Sequence, residues 1–244
     1  NKKYKNQIED AKIFLSKIKK LPRGFVIIDD YRLGYFWEKY VSNFCHKIIV
    51  IDDFINKKHY ADVLINTKPS LLKVNRENYS ILKKNNKKKC KFLLGPKYSP
   101  ITAKPFIKKI KSKKFNLVFY NGSSGNILIY HRIIKEILKN DNVNKNICIH
   151  LVVGVLEKNK NKIEKIFSRN RNIIVHQNLK SLDKLLLNSQ LLISSAGIIS
   201  LESAFYNIPT ILIKMSNNQE VDNISMQTIG HYFVLEKSDL LNFK

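Results

Sequence analysis

Short apolar runs alternate with segments of helical periodicity along almost the whole chain. Residues 25–29, 47–51, 62–66 and 90–94 are such runs, and helix-like stretches at 8–20 and 34–44 stand between or before them. A strand that is apolar on both faces must be covered on both faces, which helices achieve in parallel sheets. The alternation therefore predicts an α/β fold built on parallel sheets.

The pattern restarts after a connector. Residues 95–114 contain three prolines and many lysines, a composition typical of a linker between lobes. Further strands are then predicted at 116–120, 147–153, 172–176, 191–194 and 209–213, with helices between them, including 179–188. We expect two Rossmann-like lobes, residues 1–104 and 105–244, with a cleft between them and ligands beyond the carboxyl ends of the strands.

The composition restricts partners and location. The 244 residues carry a net charge of +25, but the lysines are scattered and accompany many Asn and Ile residues. No RNA-recognition, KH or helix-turn-helix pattern occurs, so we attribute the charge to composition and expect no nucleic-acid partner. No run of 18 apolar residues occurs, so no membrane span is expected. Cys45, Cys90 and Cys148 lack CxxC spacing and fit a reducing cytoplasm.

One strand-turn-helix segment has the pattern of a phosphate site. After the run 191–194, the small residues Ser195, Ala196 and Gly197 precede a helix that carries Glu202. A helix start offers unpaired N–H groups and a positive dipole end to a diphosphate, and a carboxylate can accept two hydrogen bonds from a ribose diol. The alternative is an ordinary turn followed by a surface glutamate.

The next strand end is also polar. Asn218 and Gln219 supply paired donors and acceptors for sugar hydroxyl and acetamido groups. Ser216 or Asn217 could equally be the N-cap of a helix, and both interpretations can hold together.

Acidic pairs follow two strands of the first lobe. Asp29-Asp30 and Asp52-Asp53 could bind a divalent metal, act as acid and base, or cap the following segments. His59 could be a base or a structural histidine. In the second lobe, the loop 121–125 (Asn-Gly-Ser-Ser-Gly) has neither the Walker nor the GxGxxG spacing, which argues against an ATPase or a dinucleotide enzyme.

Together these motifs resemble a family of sugar-nucleotide hydrolases. The first-lobe elements are Asp30-Tyr31, Trp37-Glu38, Asp52-Asp53, His59 and Ala61-Asp62, followed by Leu93-Leu-Gly-Pro-Lys-Tyr98. The second-lobe elements are Ser194–Gly197, Glu202, Pro209 and Asn218-Gln219. In this order they resemble the UDP-2,4-diacetamido-2,4,6-trideoxy-β-L-altropyranose hydrolases of pseudaminic acid biosynthesis. The second-lobe pattern is also similar to that of the peptidoglycan N-acetylglucosaminyltransferases.

The resemblance implies a GT-B fold and a reaction that needs neither a metal nor another cofactor. Water would attack the anomeric carbon of a UDP-sugar, and UDP would leave with inversion of configuration. Glu202 would hold the ribose, and the turn Ser195-Ala196-Gly197 would stabilise the leaving diphosphate. Tyr31, Asn218 and Gln219 would contact the sugar.

The sequence departs from that family in its first lobe. The family's Gly-x-Gly-His-x-x-Arg loop, which carries its general base, has no counterpart here, and the chain begins with Asn1 rather than Met. We therefore expect the first βα unit and the catalytic His to lie before residue 1, and the 244 residues to be inactive alone. A UDP-sugar-dependent glycosyltransferase and a non-catalytic UDP-sugar-binding protein remain alternatives. We expect a monomer.

Overall fold

The computed structural model describes residues 7–71, 74–87, 89–101, 112–123, 127–167, 169–214, 225–228, 230–236 and 238–239. The chain divides into two compact units, Asn1–Ser99 and Pro100–Lys244. The domain limit predicted from the sequence, between residues 104 and 105, lies outside the described residues.

The first unit contains a four-stranded parallel sheet with the order β1-β2-β3-β4. Its strands are β1 (Phe25–Ile28), β2 (Lys47–Ile51), β3 (Val63–Asn66) and β4 (Lys91–Leu94). Its helices are α1 (Gln7–Ile18), α2 (Tyr35–Val41) and α3 (Arg76–Asn85). Trp37 of α2 is buried, packs against Phe14 of α1 with ring centroids 5.2 Å apart and the ring planes tilted by 51°, and donates its Nε1–H to Asp10 at 2.7 Å. This contact joins the two helices over the apolar sheet.

The second unit contains a six-stranded parallel sheet with the order β10-β9-β8-β5-β6-β7. Its strands are β5 (Phe115–Tyr120), β6 (Ile147–Val153), β7 (Ile173–Gln177), β8 (Leu191–Ser195), β9 (Thr210–Lys214) and β10 (Tyr232–Glu236). Its helices are α4 (His131–Lys139), α5 (Asp141–Asn146), α6 (Lys160–Phe167), α7 (Asp183–Leu187) and α8 (Ile198–Phe205). The sheet grows in one direction from β5 to β7 and in the other from β8 to β10. The strand order therefore reverses between β5 and β8, where α/β sheets open a crevice for ligands.

Apolar side chains cover both faces of the second sheet, as the continuous runs predict. One face carries Phe119, Ile149 and Leu151 beneath the helical residues Tyr130 and Ile163. The other face carries Val118, Val152 and Leu192 beneath Leu186 and Ile199. Both sets are buried, which confirms the predicted α/β class and its parallel sheets.

The structure differs from the sequence prediction at three elements. The helix predicted at 179–188 is only α7, because Ser181 Oγ accepts the backbone N–H of Asp183 at 3.1 Å and the helix begins there. Helix α3 and strand β10 were not predicted. Helix α3 buries only Leu82 among its ten residues, so its apolar periodicity is weak.

Two further findings concern membrane spans and cysteines. Among the described residues, no helix has the length and apolar character that crossing a bilayer requires. Cys45, Cys90 and Cys148 are free thiols.

Candidate functional site

The turn between β8 and α8 lies beside the strand-order reversal of the second sheet. Tyr120 of β5 pairs with Ser194 of β8, so the segments after these two strands flank the same crevice position. Ser194 is fully buried, Ser195 and Ala196 are partly exposed, and Gly197 is exposed. The residues predicted to approach a phosphate are thus brought to the end of the sheet where a ligand can reach them.

The start of α8 is open to a ligand. Gly197 is its N-cap, with φ of 166° and ψ of −168°. Because glycine has no side chain, it makes no side-chain capping hydrogen bond. In the part of the chain that the structure describes, a Cβ built on Gly197 would meet nothing within 4 Å. Any residue can adopt this extended backbone, so the conformation does not require glycine. The effect of glycine here is that no side chain of its own fills the space above the helix start. The first N–H groups of a helix point into such space and favour an anion.

Hydroxyl groups fix α8 against the sheet. Ser200 Oγ donates to the carbonyl oxygen of Gly197 at 2.5 Å, and Tyr232 of β10 donates to the carbonyl oxygen of Ser200 at 2.8 Å. Thr210 of β9 donates to Ser203 Oγ at 2.8 Å. Ser200, Ser203 and Thr210 are buried. Contacts to the two neighbouring strands β9 and β10 therefore hold α8 in position. Apolar periodicity in the sequence does not predict these polar contacts.

Glu202 lies on α8 one turn beyond its first residue. It is four residues after Ile198, so the two side chains share a face of the helix. Ile198 is 48% exposed and Glu202 is partly exposed, so this face is accessible. A carboxylate about 7.5 Å along the axis from Gly197 can contact a group attached to a phosphate held at the helix start. Asn218 and Gln219 lie outside the described residues.

The loops after β5 and β6 touch through their backbones. A Cβ on Gly154 would lie 2.3 Å from the carbonyl oxygens of both Gly122 and Ser123, so only glycine fits. The backbone N–H of Leu156 donates to Ser123 O at 2.8 Å. Gly154 directly follows the strand predicted at 147–153, but its packing role depends on a loop about thirty residues away in the chain, which the local sequence does not reveal.

A pair of histidines lines a cavity on the face of the sheet beneath α7. His150 Nδ1 and His176 Nε2 are 2.9 Å apart, and the rings are stacked at 27° with centroids 5.2 Å apart. The cavity, about 500 Å³, is also lined by Asn116, Ser181 and Asp183. Burial lowers the pKa of His150 to about 4, with a contribution from His176, and burial lowers the pKa of His176 as well. No motif in the sequence marks these two histidines as a pair.

In the first unit, Tyr31 lies at the carboxyl end of β1. Its hydroxyl donates to Asp53 Oδ2 at 2.5 Å, and Lys57 Nζ donates to its carbonyl oxygen at 3.1 Å. The ring packs edge-on against Phe54, and the residue is still 54% exposed. Burial, and then the hydrogen bond to Asp53, raise the pKa of Tyr31. Tyr31 is therefore a neutral donor that is held in one orientation and remains accessible.

His59 belongs to a buried polar network. His59 Nδ1 is 2.7 Å from Glu38 Oε1, and its Nε2 is 3.5 Å from Asp52 Oδ2. Lys57 Nζ contacts the same Asp52 oxygen at 2.6 Å. Glu38, His59 and Asp52 are each at most 2% exposed, and the backbone N–H of Tyr60 donates to Glu38. This environment favours the structural interpretation of His59 over a general base, since no solvent-borne substrate reaches a side chain so buried.

The acidic pairs of the first unit have partners of their own. Asp30 forms a two-atom contact with Arg32, whose hydrogen bonds hold the pKa of Asp30 at about 2. Asp52 accepts from the backbone N–H of Phe54 at 2.8 Å, which is the capping role that the sequence left open. Within the part of the chain that the structure describes, no three His, Cys, Asp or Glu side chains are grouped to hold a metal ion.

Comparison with solved structures identifies the fold. The calicheamicin glycosyltransferase CalG4 aligns with 96% of this chain and 66% of its own, at 9% identity and a TM-score of 0.63. The Staphylococcus aureus MnaA structure with UDP aligns with 96% of this chain and 67% of its own, at 13% identity and a TM-score of 0.60. The chain has a GT-B type fold. At such identities the likeness concerns the fold alone, and it confirms the two Rossmann-like lobes.

Sequence comparison adds one distant relative. An uncharacterized protein of Methanocaldococcus jannaschii is 24% identical over 221 residues. The match covers 86% of this chain and 44% of that protein, so the chain spans less than half the length of its relative. No family model matches the chain.

Proposed function

We propose that this GT-B chain holds the nucleotide of a UDP-sugar at the start of α8. The observation that carries the proposal is the turn Ser195-Ala196-Gly197, which lies beside the strand-order reversal and where a Cβ on Gly197 would meet no atom of the described residues within 4 Å. N–H groups and the positive end of the helix dipole favour a diphosphate at this position. The alignment with the UDP-bound MnaA structure is consistent with this choice of ligand.

One further contact of the proposal lies on α8, and the others are those that the sequence predicts. In the proposal Glu202 accepts hydrogen bonds from the two ribose hydroxyls, while Tyr31, Asn218 and Gln219 contact the sugar. Tyr31 is suited to this role because its ring and hydroxyl are fixed by Phe54 and Asp53 while more than half of the residue is exposed. In this proposal residues 1–104 form the N-terminal lobe and residues 105–244 form the lobe that binds UDP.

The reaction proposed for the complete protein is hydrolysis. Water attacks the anomeric carbon of a 2,4-diacetamido-2,4,6-trideoxy hexose, the bond from that carbon to the diphosphate oxygen breaks, and UDP leaves with inversion. The N–H groups at the start of α8 stabilise the charge that develops on the leaving diphosphate. A base removes the proton from the attacking water. The protein would work in the cytoplasm as a monomer.

Calorimetric titration with UDP tests the nucleotide site. We expect wild-type protein to bind one UDP, and Gly197→Ala to bind at least about tenfold more weakly, because the added methyl group occupies the space of the phosphate. The methyl meets no atom of the described residues within 4 Å, so the variant should unfold at nearly the wild-type denaturant midpoint. Equal UDP affinity in the two folded proteins would contradict the proposed site.

A glycosyltransferase is the second candidate, favoured by the alignment with CalG4. Both enzymes would release UDP, so the sugar product distinguishes them. Free sugar as the sole product, appearing first as the inverted anomer in proton NMR, supports hydrolysis. Transfer to an added acceptor supports a transferase. UDP binding without turnover by the complete protein would instead indicate a non-catalytic binding protein.

A further inference from the structure

The His150–His176 pair has the geometry of two imidazole ligands that face one another. His150 lies on β6 and His176 on β7, and the parallel register places Val152 opposite His176 and His150 opposite Ile174. Side chains two residues apart on a strand share a face, so both imidazoles project from the same face of the sheet. Their Nδ1 and Nε2 atoms are 2.9 Å apart at the wall of the cavity beneath α7.

Asn116 selects the tautomer of His150. The Asn116 Nδ2 group donates to the carbonyl oxygen of Asn188 at 2.8 Å, which leaves Oδ1 as the atom that faces His150 Nε2 at 3.5 Å. A carbonyl oxygen can only accept, so Nε2 of His150 carries the proton and Nδ1 carries the lone pair. An outer N–H held by a carbonyl oxygen is also the usual environment of a metal-ligating histidine.

We infer that His150 Nδ1 and His176 Nε2 together bind one divalent transition-metal ion of the class that prefers imidazole, such as Zn²⁺. In the hydrogen-bonded pair, His176 Nε2 donates its proton to His150 Nδ1. The ion takes the place of that proton between the two rings. His176 changes tautomer, so that its proton is on Nδ1 rather than Nε2. The pair therefore loses no proton, and the lone pairs of His150 Nδ1 and His176 Nε2 both bind the metal. With Zn–N bonds of about 2.0–2.1 Å and tetrahedral angles, the two nitrogens must separate by about 0.4 Å, and both rings must turn so that their lone pairs converge on the ion.

The cavity determines what kind of site this is. Since no three His, Cys, Asp or Glu side chains are grouped in the described part of the chain, the protein supplies two strong ligands. The cavity of about 500 Å³ leaves room for water or a small anion at the other positions. Imidazole ligands favour Zn²⁺, Ni²⁺ and Cu²⁺ over Mg²⁺ and Ca²⁺, which prefer oxygen. The site lies on a face of the sheet, whereas the proposed UDP site lies beyond its carboxyl ends, so the two can be tested separately.

Metal titration of the full chain tests this inference. After treatment with chelator and buffer exchange, we expect calorimetry to show one Zn²⁺ per chain and no comparable binding of Mg²⁺. His150→Gln and His176→Gln should each weaken Zn²⁺ binding at least about tenfold, whereas His46→Gln, at an exposed histidine of the first unit, should not change it. Asn116→Ala, which removes the carbonyl oxygen behind His150, should weaken it by about 10- to 100-fold.

A second measurement covers the case in which a variant fails to fold. X-ray absorption of the wild-type chain with one equivalent of Zn²⁺ should show two imidazole nitrogens at about 2.0–2.1 Å. Absence of a saturable Zn²⁺ site, a spectrum without imidazole scattering, or equal Zn²⁺ affinity in wild type and folded His150→Gln would each overturn the inference.

Discussion

At the scale of single residues, two glycines at strand ends have opposite requirements. Gly154 is needed because its Cβ position is filled by the carbonyl oxygens of Gly122 and Ser123. Gly197 has open space at its Cβ position and an extended backbone that any residue can adopt. One glycine therefore serves the packing of the unit, and the other leaves a space that a ligand can use.

The first prediction concerns this contrast in stability. Gly154→Ala should lower the free energy of unfolding by about 1–3 kcal/mol, because backbone atoms at 2.3 Å must move to admit the methyl group. Gly197→Ala should change it by less than about 1 kcal/mol. Urea denaturation followed by circular dichroism measures both, and equal midpoints for the two variants would show that the close approach at Gly154 is not a constraint.

The buried network around His59 gives a second prediction. His59→Gln removes the partner of Glu38 Oε1 in a fully buried site, and should cost about 3 kcal/mol of stability. Lys87→Gln is the matched control, since the contact of Lys87 with Asp62 is partly exposed and worth less than about 1 kcal/mol. Chemical denaturation compares them. A His59→Gln variant as stable as the control would exclude a structural role for this histidine.

The histidine pair gives a third prediction, on pH. Burial lowers the pKa of His150 to about 4 in the folded chain, whereas in the unfolded chain it titrates near its usual value of 6.5. Below pH 6.5 the unfolded state binds the proton more readily, so the contribution of His150 to stability is complete above that pH and is lost as the pH falls towards 4. His176, which also lowers the pKa of His150, lines the same cavity together with Asp183 and Lys184.

Melting temperatures measured with chelator from pH 7.5 to 4 test that prediction. The wild-type chain should lose more stability over this range than His150→Gln, which has no group to titrate at that position. Parallel melting curves across the range would show that the neutral state of His150 does not contribute to folding.

At the scale of elements, the sequence predicted strands better than helices. Strands β2 and β6 have the predicted limits, because the apolar run of β2 ends at Asp52 and that of β6 ends at Gly154. Helix α7 is shorter than predicted because the side chain of Ser181 decides where it begins. Strand β10 escaped prediction because it is an edge strand, with Phe233 74% exposed and only Tyr232 buried, so its burial does not follow the apolar pattern.

The candidate site was predictable only where it depends on local sequence. The Ser195-Ala196-Gly197 turn and Glu202 are adjacent in the chain, and their strand-turn-helix arrangement was inferred correctly from that spacing. The contacts of Tyr31 with Asp53, of Gly154 with Gly122 and of His150 with His176 join residues at least 22 positions apart. Such contacts depend on strand order, which apolar runs alone do not determine.

Helix α8 carries the fourth prediction. If Glu202 holds the ribose diol, wild-type protein should bind UDP at least about tenfold more tightly than 2′,3′-dideoxy-UDP. Glu202→Ala should weaken UDP binding and abolish this discrimination, because the dideoxy compound has no hydroxyl groups for the carboxylate to accept from. Competition calorimetry measures the ratio. Discrimination that persists in Glu202→Ala would assign the ribose contact to another residue.

At the scale of the whole molecule, two parallel sheets of GT-B type carry separate polar groups at their strand ends. The first unit presents Tyr31, which a buried network beneath it helps to position through Lys57. The second unit presents the helix start that we propose for the diphosphate. The match to the M. jannaschii relative covers 44% of that protein, so its length is not accounted for by these two units alone.

The measurement that tests the central proposal most directly is an NMR titration of the ¹⁵N-labelled chain with UDP. The backbone amides of residues 195–199 should shift most and saturate with one binding constant, because their N–H groups would point at the diphosphate. A smaller shift is expected at Glu202. Saturable shifts confined to other parts of the chain, or no shift at millimolar UDP, would contradict a nucleotide site at the start of α8.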